Sequence, residues 1–200
     1  GNYFDEETKQ QIYSDIYNDS MWLIDLVENL LYATRIEEGK MTLRTSTELL
    51  SEIVEEAIWH IKRKLDSHTL SVSFDDDLIL VKADAKLLVQ VIANIIDNAV
   101  KYTPADSSIT ITSKKKGNMA ELSIADTGNG IPPADKERIF EKFYCGNQKI
   151  ADNRRSLGLG LYLCKSIIEA HGGVLSVSDN LPHGAIFSFT IPLEEVPFYE

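Results

Sequence analysis

The sequence predicts an α/β (α+β) two-layer sandwich, in which a mixed sheet is covered on one face by three helices and preceded by a long bundle-type helix. Three segments, 48–65, 85–102 and 159–170, carry apolar residues at helical spacing. The segments around them alternate apolar and polar residues, as half-buried strands do. The predicted strands are 41–45, 70–74, 78–81, 108–113, 119–125, 174–178 and 185–191.

The first forty residues form one long helical pattern. It carries two neighbouring apolar stripes, Ile12, Ile16, Leu23, Leu26 and Leu30, and Tyr13, Tyr17, Ile24, Val27 and Leu31. A face this wide favours a helix bundle, in which each helix packs against two others. An amphipathic helix folded back on its own domain is the alternative. Gly39 is the predicted end of the helix, because glycine adopts the left-handed conformation of a helix C-terminus.

Two predicted helix starts follow from capping residues. Ser46 or Thr47 is the expected N-cap of the helix that begins at Glu48, and Asp84 is the expected N-cap of the helix over 85–102. The carboxylate of Asp84 also complements the positive end of that helix.

Composition and charge limit the function classes. An apolar fraction of 44% is typical of a globular chain. A formal net charge of −11 argues against binding to nucleic acid or to an anionic membrane. No stretch approaches the roughly 20 apolar residues that cross a bilayer. Cys145 and Cys164 are too few for a disulfide framework or a zinc cluster, and reduced thiols are expected.

A polar ridge runs along the helix predicted over 85–102. Asn94, Asn98 and Lys101 are three and four residues apart, so they share one helix face. Amide oxygens suit Mg²⁺, which takes few protein ligands and leaves its other positions to water and phosphate. A lysine beside them can offset phosphate charge. The alternative is a solvated helix face.

Glycine motifs follow the ridge. Asp126 ends an apolar strand and is followed by Gly128 and Gly130, while Gly158-Leu159-Gly160-Leu161 begins the helix over 159–170. A carboxylate at the end of a buried strand needs a strong hydrogen-bond donor, and glycines allow close approach of the backbone. A turn with a purely conformational role is the alternative for Asp126.

The segment 144–157 has the composition of a long functional loop. Its cations, Lys149, Arg154 and Arg155, could reach terminal phosphates.

The order of these motifs resembles the catalytic ATP-binding domain of two-component sensor histidine kinases. The Asn94–Tyr102 ridge resembles the N box, Asp126–Gly130 the G1 box, Phe140-Glu-Lys-Phe143 the F box and Gly158–Leu161 the G2 box. The resemblance extends from Phe4 to Pro192 and implies the Bergerat, or GHKL, fold.

The resemblance also implies roles for individual residues. Asp126 would accept a hydrogen bond from the amino group of adenine, and Tyr102 would lie near the adenine or ribose. Asn98, with Asn94 as a second candidate, would hold Mg²⁺. Backbone amides at the start of a helix bind phosphate. The predicted ATP-binding residues are Asn94, Asn98, Lys101, Tyr102, Asp126, Gly128, Gly130, Lys149, Arg154, Arg155, Gly158, Leu159, Gly160 and Leu161.

The sequence departs from the family in three ways. None of the histidines, His60, His68, His171 and His183, has the setting of the phosphoacceptor. Lys142 stands where the family more often has arginine, and Ser156 replaces the first glycine of the G2 box. The expected organisation is therefore the second helix of a truncated dimerisation and phosphoacceptor hairpin (1–40), the catalytic ATP-binding domain (41–195) and a tail (196–200).

The predicted function is transfer of the γ-phosphoryl group of MgATP to a histidine of the dimerisation hairpin. This chain alone is expected to be inactive in autophosphorylation. The alternatives are an ATP hydrolase of the same superfold or a regulatory nucleotide-binding module. The hydrolases of that superfold resemble one another in a glutamate base four residues before the metal-binding asparagine, where this chain has Asn94. A neutral amide cannot take a proton from water, so no general base is predicted.

Segments 19–31, 101–104 and 143–147 are most similar to the Kdp-type potassium sensor kinases. That resemblance implies the cytoplasmic domain of a membrane-anchored bacterial sensor. The implied partners are ATP, the chain's own hairpin, a second copy and a response regulator that binds DNA, while this segment itself contacts neither nucleic acid nor membrane.

Overall fold

A computed structural model describes residues 5–146 and 158–194. Within these ranges there are four helices and seven strands. The helices are Glu6–Glu37 (α1), Leu50–Ile61 (α2), Ala85–Tyr102 (α3) and Gly160–Ala170 (α4). The strands are Ser46–Leu49 (β1), Thr69–Phe74 (β2), Leu80–Ala83 (β3), Ser108–Lys116 (β4), Met119–Asp126 (β5), Leu175–Asp179 (β6) and Ala185–Pro192 (β7).

Five strands form one mixed sheet in the order β2-β4-β5-β7-β6. The β2–β4 pair is parallel, and the other neighbours are antiparallel. Strands β1 and β3 form a separate antiparallel pair. A bridge between Val81 and Leu193 joins this pair to the end of β7.

The core lies between the main sheet and helices α2, α3 and α4. Strands β5 and β7 alternate buried and half-buried residues, so one face of the sheet packs on the helices while the other carries polar side chains such as Ser123 and Ser188. Fully burying a leucine, isoleucine or phenylalanine contributes about 1.5–3 kcal/mol. The largest fully buried side chains include Leu88, Ile92, Ile95, Ile96, Ile111, Leu122, Ile124, Leu163 and Phe189. The predicted two-layer sandwich with three covering helices is confirmed.

Helix α3 has the predicted bounds, since it runs from Ala85 to Tyr102. The carboxylate of Asp84 accepts a hydrogen bond from the backbone N–H of Leu87 at 3.3 Å, as expected of its N-cap. The imidazole of His171 supports the same corner, because its Nε2 accepts from the backbone N–H of Asp84 at 3.0 Å and its Nδ1 donates to the carbonyl of Ile167 at 2.7 Å. His171 is therefore a structural residue.

The prediction for residues 41–50 is wrong. Residues 46–49 form the strand, paired with 80–83, and α2 begins at Leu50 without a side-chain cap. The backbone N–H of Leu50 donates instead to the carbonyl of Ile79 at 3.0 Å. Because pairing with a distant strand satisfies this donor, Ser46 and Thr47 are strand residues and not N-caps.

Helix α1 ends as predicted, with Gly39 at a φ of +64°. Ala33 is buried and Tyr32 packs against the core, but the two apolar stripes are mostly uncovered. Side chains such as Ile16, Leu23 and Val27 are at least half exposed. None of the helices in the described ranges combines the length and apolar character needed to cross a bilayer.

Candidate nucleotide-binding site

A cleft of about 1690 Å³ lies between α3, the end of β5 and the start of α4. The predicted site residues among its lining are Asn94, Asn98, Lys101, Tyr102, Asp126, Gly130, Gly158, Leu159, Gly160 and Leu161. Gly128 lies behind this lining, where its backbone N–H donates to Asp126. Segments that are up to 67 residues apart in the chain (94 and 161) therefore meet around one cavity.

The amide ridge of α3 forms one wall of the cleft. The Nδ2 atom of Asn94 is buried without a nitrogen or oxygen partner among the described residues, and the Asn94 side chain acts on the buried thiol of Cys164 by a hydrogen bond that lowers the pKa of the thiol against the larger effect of burial. Asn94, Asn98 and Lys101 all line the cleft, so this face of α3 is part of a candidate binding surface.

Lys101 is not free on this wall. Its ammonium group forms an ion pair with Asp97, one turn earlier in α3, at 2.8 Å, and Lys64 binds the other oxygen of Asp97 at 2.6 Å. Burial alone would raise the pKa of Asp97, but the charges of Lys101 and Lys64 outweigh it and hold the pKa below its usual value. Asp97 is thus a fully compensated carboxylate.

Asp126 is buried at the base of the cleft, with 7% of its surface exposed. Its Oδ1 accepts hydrogen bonds from the backbone N–H groups of Gly128 at 2.9 Å and Ala185 at 3.3 Å. Burial raises the pKa of Asp126, and these two hydrogen bonds only partly oppose the rise. Among the described residues no group donates to Oδ2, so one oxygen of a buried carboxylate remains available to a donor.

The glycines of the second motif bring the backbone to the rim of the cleft. Gly158 has a φ of +64°, and a Cβ atom there would lie 2.5 Å from the carbonyl oxygen of Tyr144. The carbonyl of Gly158 accepts from the N–H of Phe143 at 3.0 Å, which joins the F box to the G2 box. At Gly160 a Cβ atom would meet nothing within 4 Å, so the first turn of α4 is open toward the cleft. An open helix N-terminus favours anions.

The two phenylalanines of the F box have different environments. Phe140 is buried and makes an edge contact with Phe187, with 6.4 Å between ring centroids. Phe143 is 56% exposed and has a φ of +66°, because its backbone turns to reach Gly158. Lys142 forms an ion pair with Glu37 at the end of α1, so its ammonium group links the F box to α1.

Helix α1 contributes a side wall that the sequence did not predict. Trp22, Asp25 and Asn29 line the cleft, and Asn29 Oδ1 accepts from Gln90 Nε2 of α3 at 3.5 Å. Burial here raises the pKa of Asp25 against the opposing effect of Lys64.

Several functional predictions cannot be compared with the structure, and some residues were missed. Lys149, Arg154, Arg155 and Ser156 lie outside the described residues. Asp97 could have been predicted from the sequence, because it lies four residues before Lys101 on the same helix. Lys64 and the turn between β6 and β7 could not, because no nearby sequence motif marks either of them as part of the site.

Neither cysteines nor acidic clusters form a metal site in the described ranges. No group of three or more His, Cys, Asp or Glu side chains there could hold a metal ion. Cys164 is buried, and burial raises the pKa of its thiol to about 12, so the thiol stays protonated.

Comparison with known proteins agrees with this geometry. The chain is 41% identical, over 97% of its length, to the protein named "Sensor protein KdpD" of Clostridium acetobutylicum, of which it spans 22%. The full-length ShkA structure in complex with AMPPNP superposes with a TM-score of 0.79 at 25% identity, covering 94% of this chain and 40% of that one.

A second similar structure is histidine kinase ThkA in complex with the response regulator protein TrrA. It has a TM-score of 0.73 at 27% identity and covers 96% of this chain and 53% of that chain. The predicted Bergerat fold and the resemblance to the catalytic domain of Kdp-type sensor kinases are confirmed. Residues 83–195 match the family described as "Histidine kinase-, DNA gyrase B-, and HSP90-like ATPase", and the chain belongs to that family.

Proposed function

We propose that this chain binds MgATP in the cleft and presents the γ-phosphoryl group to a histidine of a dimerisation hairpin. The observation that carries this proposal is Asp126, a buried carboxylate that has one oxygen without a donor and no cation partner among residues 5–146 and 158–194. Such a group suits a neutral donor, and the amino group of adenine is one. The relatives are sensor kinases, but the chain spans only 22% of the KdpD protein, so the activity of the whole protein is part of the proposal.

The predicted residues divide the nucleotide between two ends of the cleft. Asp126 and Tyr102 would bind the base and ribose, and Gly128 would support Asp126 through its N–H. At the other end the backbone of Gly158–Leu161 would meet the phosphates at the open start of α4. Lys101 would break its ion pair with Asp97 and pair with phosphate at this end of the cleft.

The residues of α3 fit a magnesium ion. Asn98 would bind it, with Asn94 as a second ligand, because amide oxygens are hard donors and Mg²⁺ keeps most of its positions for water and phosphate. Asn94 and Asn98 both line the cleft, which supports a ligand beside these amides. When bound, the ion neutralises charge on the triphosphate.

Phosphotransfer is favoured over hydrolysis by the residue at position 94. In transfer, an imidazole nitrogen forms a bond to the γ-phosphorus while the bond to the bridging oxygen breaks, and ADP leaves. An imidazole is already a nucleophile and needs no base. The amide of Asn94 cannot remove a proton from water, and positioning with charge neutralisation carries the catalysis.

The remaining parts of the proposal concern the whole protein. Residues 1–40 would be the second helix of the hairpin, 41–195 the catalytic domain and 196–200 a tail. The exposed stripes of α1 would pair with the acceptor helix and a second copy in a homodimer. A response regulator would receive the phosphoryl group, as the ThkA–TrrA complex suggests, and the parent would be anchored in a membrane with this domain in the cytoplasm.

The test combines this chain, ATP labelled in its γ-phosphate and a separately produced hairpin that carries the acceptor histidine. We expect acid-labile label on the hairpin, and much less label when Asp126→Ala replaces the unaltered chain. Release of labelled phosphate without transfer would support hydrolysis instead. Absence of MgATP binding in calorimetry would contradict the assignment.

A further inference from the structure

The turn between β6 and β7 holds the end of β5 from behind. Three hydrogen bonds connect the two segments. Asn180 Nδ2 donates to the main-chain carbonyl of Asp126 at 2.7 Å, His183 Nδ1 donates to the carbonyl of Thr127 at 3.0 Å, and the N–H of Ala185 donates to Asp126 Oδ1 at 3.3 Å. The backbone and the carboxylate of Asp126 are therefore both held by this turn.

The backbone of the β6–β7 turn lies very close to the end of β5 at Gly184. Its φ is +119°, and a Cβ atom there would lie 1.9 Å from the main-chain oxygen of Asp126 and 2.8 Å from its carbonyl carbon. The same glycine approaches Gly130, whose added Cβ would lie 3.0 Å from the carbonyl oxygen of Gly184. The turn and the G1 segment thus pack backbone against backbone.

This packing decides which carboxylate oxygen faces the cleft. Oδ1 accepts from the N–H groups of Gly128 and Ala185, which restricts rotation of the carboxylate and leaves Oδ2 for a ligand. Asn180 itself lines a separate cavity of about 390 Å³ behind the G1 segment and is not among the residues that line the nucleotide cleft. An effect of Asn180 on a nucleotide is therefore indirect, and the hydrogen bond of its side chain to the main-chain carbonyl of Asp126 is the direct link to the site.

We propose that Asn180 is a positioning residue for base selectivity: its hydrogen bond to Asp126 holds Oδ2 where it accepts from the amino group of adenine. This inference rests on the proposed nucleotide function. A site built to bind a donor loses that discrimination when its acceptor moves by a fraction of an ångström. The triphosphate, bound at the other end of the cleft, should hardly respond.

A pair of nucleotides isolates this effect. ATP carries the amino group, whereas purine riboside triphosphate has hydrogen in its place and cannot make the bond to Asp126. We expect Asn180→Ala to weaken MgATP binding about 3-fold to 10-fold, the size expected for one neutral hydrogen bond. Binding of magnesium purine riboside triphosphate should change less than about 2-fold. Both dissociation constants are measured by titration calorimetry.

Two further variants complete the design. Asn180→Asp has the same shape but cannot donate to the carbonyl of Asp126, so it should lose at least as much ATP affinity as Asn180→Ala. Asn118→Ala is the matched control, because Asn118 is exposed in the β4–β5 turn and contributes only its main-chain carbonyl, to Leu193 N–H. It should leave both constants unchanged. Retained binding of purine riboside triphosphate shows that each variant cleft is folded.

The possible outcomes distinguish failure of the inference about Asn180 from failure of the proposed nucleotide function. Equal losses for the two nucleotides, or no loss of ATP affinity in Asn180→Ala and Asn180→Asp, would overturn the inference while leaving the nucleotide function intact. No binding of MgATP to the unaltered chain would overturn both. A loss confined to ATP supports the inference.

Discussion

Asp97 and Asp126 line the same cleft and are both largely buried, yet their carboxylates are stabilised in different ways. Asp97 lies between two ammonium groups, those of Lys64 and Lys101, and its pKa is lowered. Asp126 has only backbone N–H donors among the described residues, and burial raises its pKa. One carboxylate is compensated inside the protein, and the other is not.

The difference indicates which of the two is kept for a ligand. The ion pairs with the two lysines stabilise the folded chain, but they occupy both carboxylate oxygens of Asp97, which then cannot accept from a ligand. Holding Asp126 in a buried site without a cation costs stability, and an oxygen remains open to an external donor. Local conflict with stability is expected where a protein binds its ligand.

The largest expected effect is on nucleotide affinity. Asp126→Ala should weaken MgATP binding about 10-fold to 100-fold, since hydrogen bonds to charged groups contribute about 1.5–3 kcal/mol. Asp97→Asn should change the same constant less than about 3-fold, because Asp97 has no open oxygen. Calorimetry on both variants measures the contrast, and similar losses would remove the distinction between the two carboxylates.

The pH dependence of base binding tests the direction of the Asp126 pKa. The ionised carboxylate is a stronger acceptor for the amino group of adenine than the protonated acid, so adenosine affinity should fall, by up to about 10-fold in total, as the pH drops below the raised pKa of Asp126. Adenosine is the probe because it carries no phosphate that titrates. Asp97→Asn should keep this profile. A profile that stays flat from neutral pH to the usual value of 3.8 would contradict the raised pKa.

Stability should change in opposite directions for the two isosteric variants. Asp97 has a lowered folded pKa, so its contribution is present above 3.8 and is lost as the pH falls through the folded value. Asp97→Asn should therefore lower the free energy of unfolding at pH 7, by about 1–2 kcal/mol because its lysine partners are half exposed.

Asp126 has a raised folded pKa, so its contribution is present below 3.8 and is lost as the pH rises through the folded value. Asp126→Asn should increase stability at pH 7 while weakening ATP binding. Urea unfolding of both variants gives the signs, and a destabilised Asp126→Asn protein would show that the carboxylate has a structural role.

The smallest expected effect is at Lys64. Its side chain is 58% exposed, so Lys64→Met should lower the free energy of unfolding by only about 0.5 kcal/mol. The control is Lys62→Met, which changes a lysine of the same short 3-10 helix (Lys62–Lys64) and should leave the free energy of unfolding unchanged. A loss of several kcal/mol at Lys64 would mean that solvent screens the pair much less than its exposure indicates.

The sequence alone determined the elements whose signals are local. Helix α3 has the predicted bounds because periodicity and the Asp84 cap act within a few residues of each other. Strand β1 was misplaced because its bounds depend on pairing with residues 80–83, more than thirty positions away. The exposure of Phe143 has no local signal either, since its backbone bonds to Gly158, fifteen residues later in the chain.

The same division holds for the site. The motif order resembles that of the sensor kinases, and that resemblance predicted one site for Asn94, Asn98 and Asp126, which line one cleft in the structure. Only the tertiary structure decided the electrostatic state of each carboxylate. Burial and distant partners set a pKa, and two such partners, Lys64 for Asp97 and the backbone N–H of Ala185 for Asp126, are brought near by the fold and not by the chain.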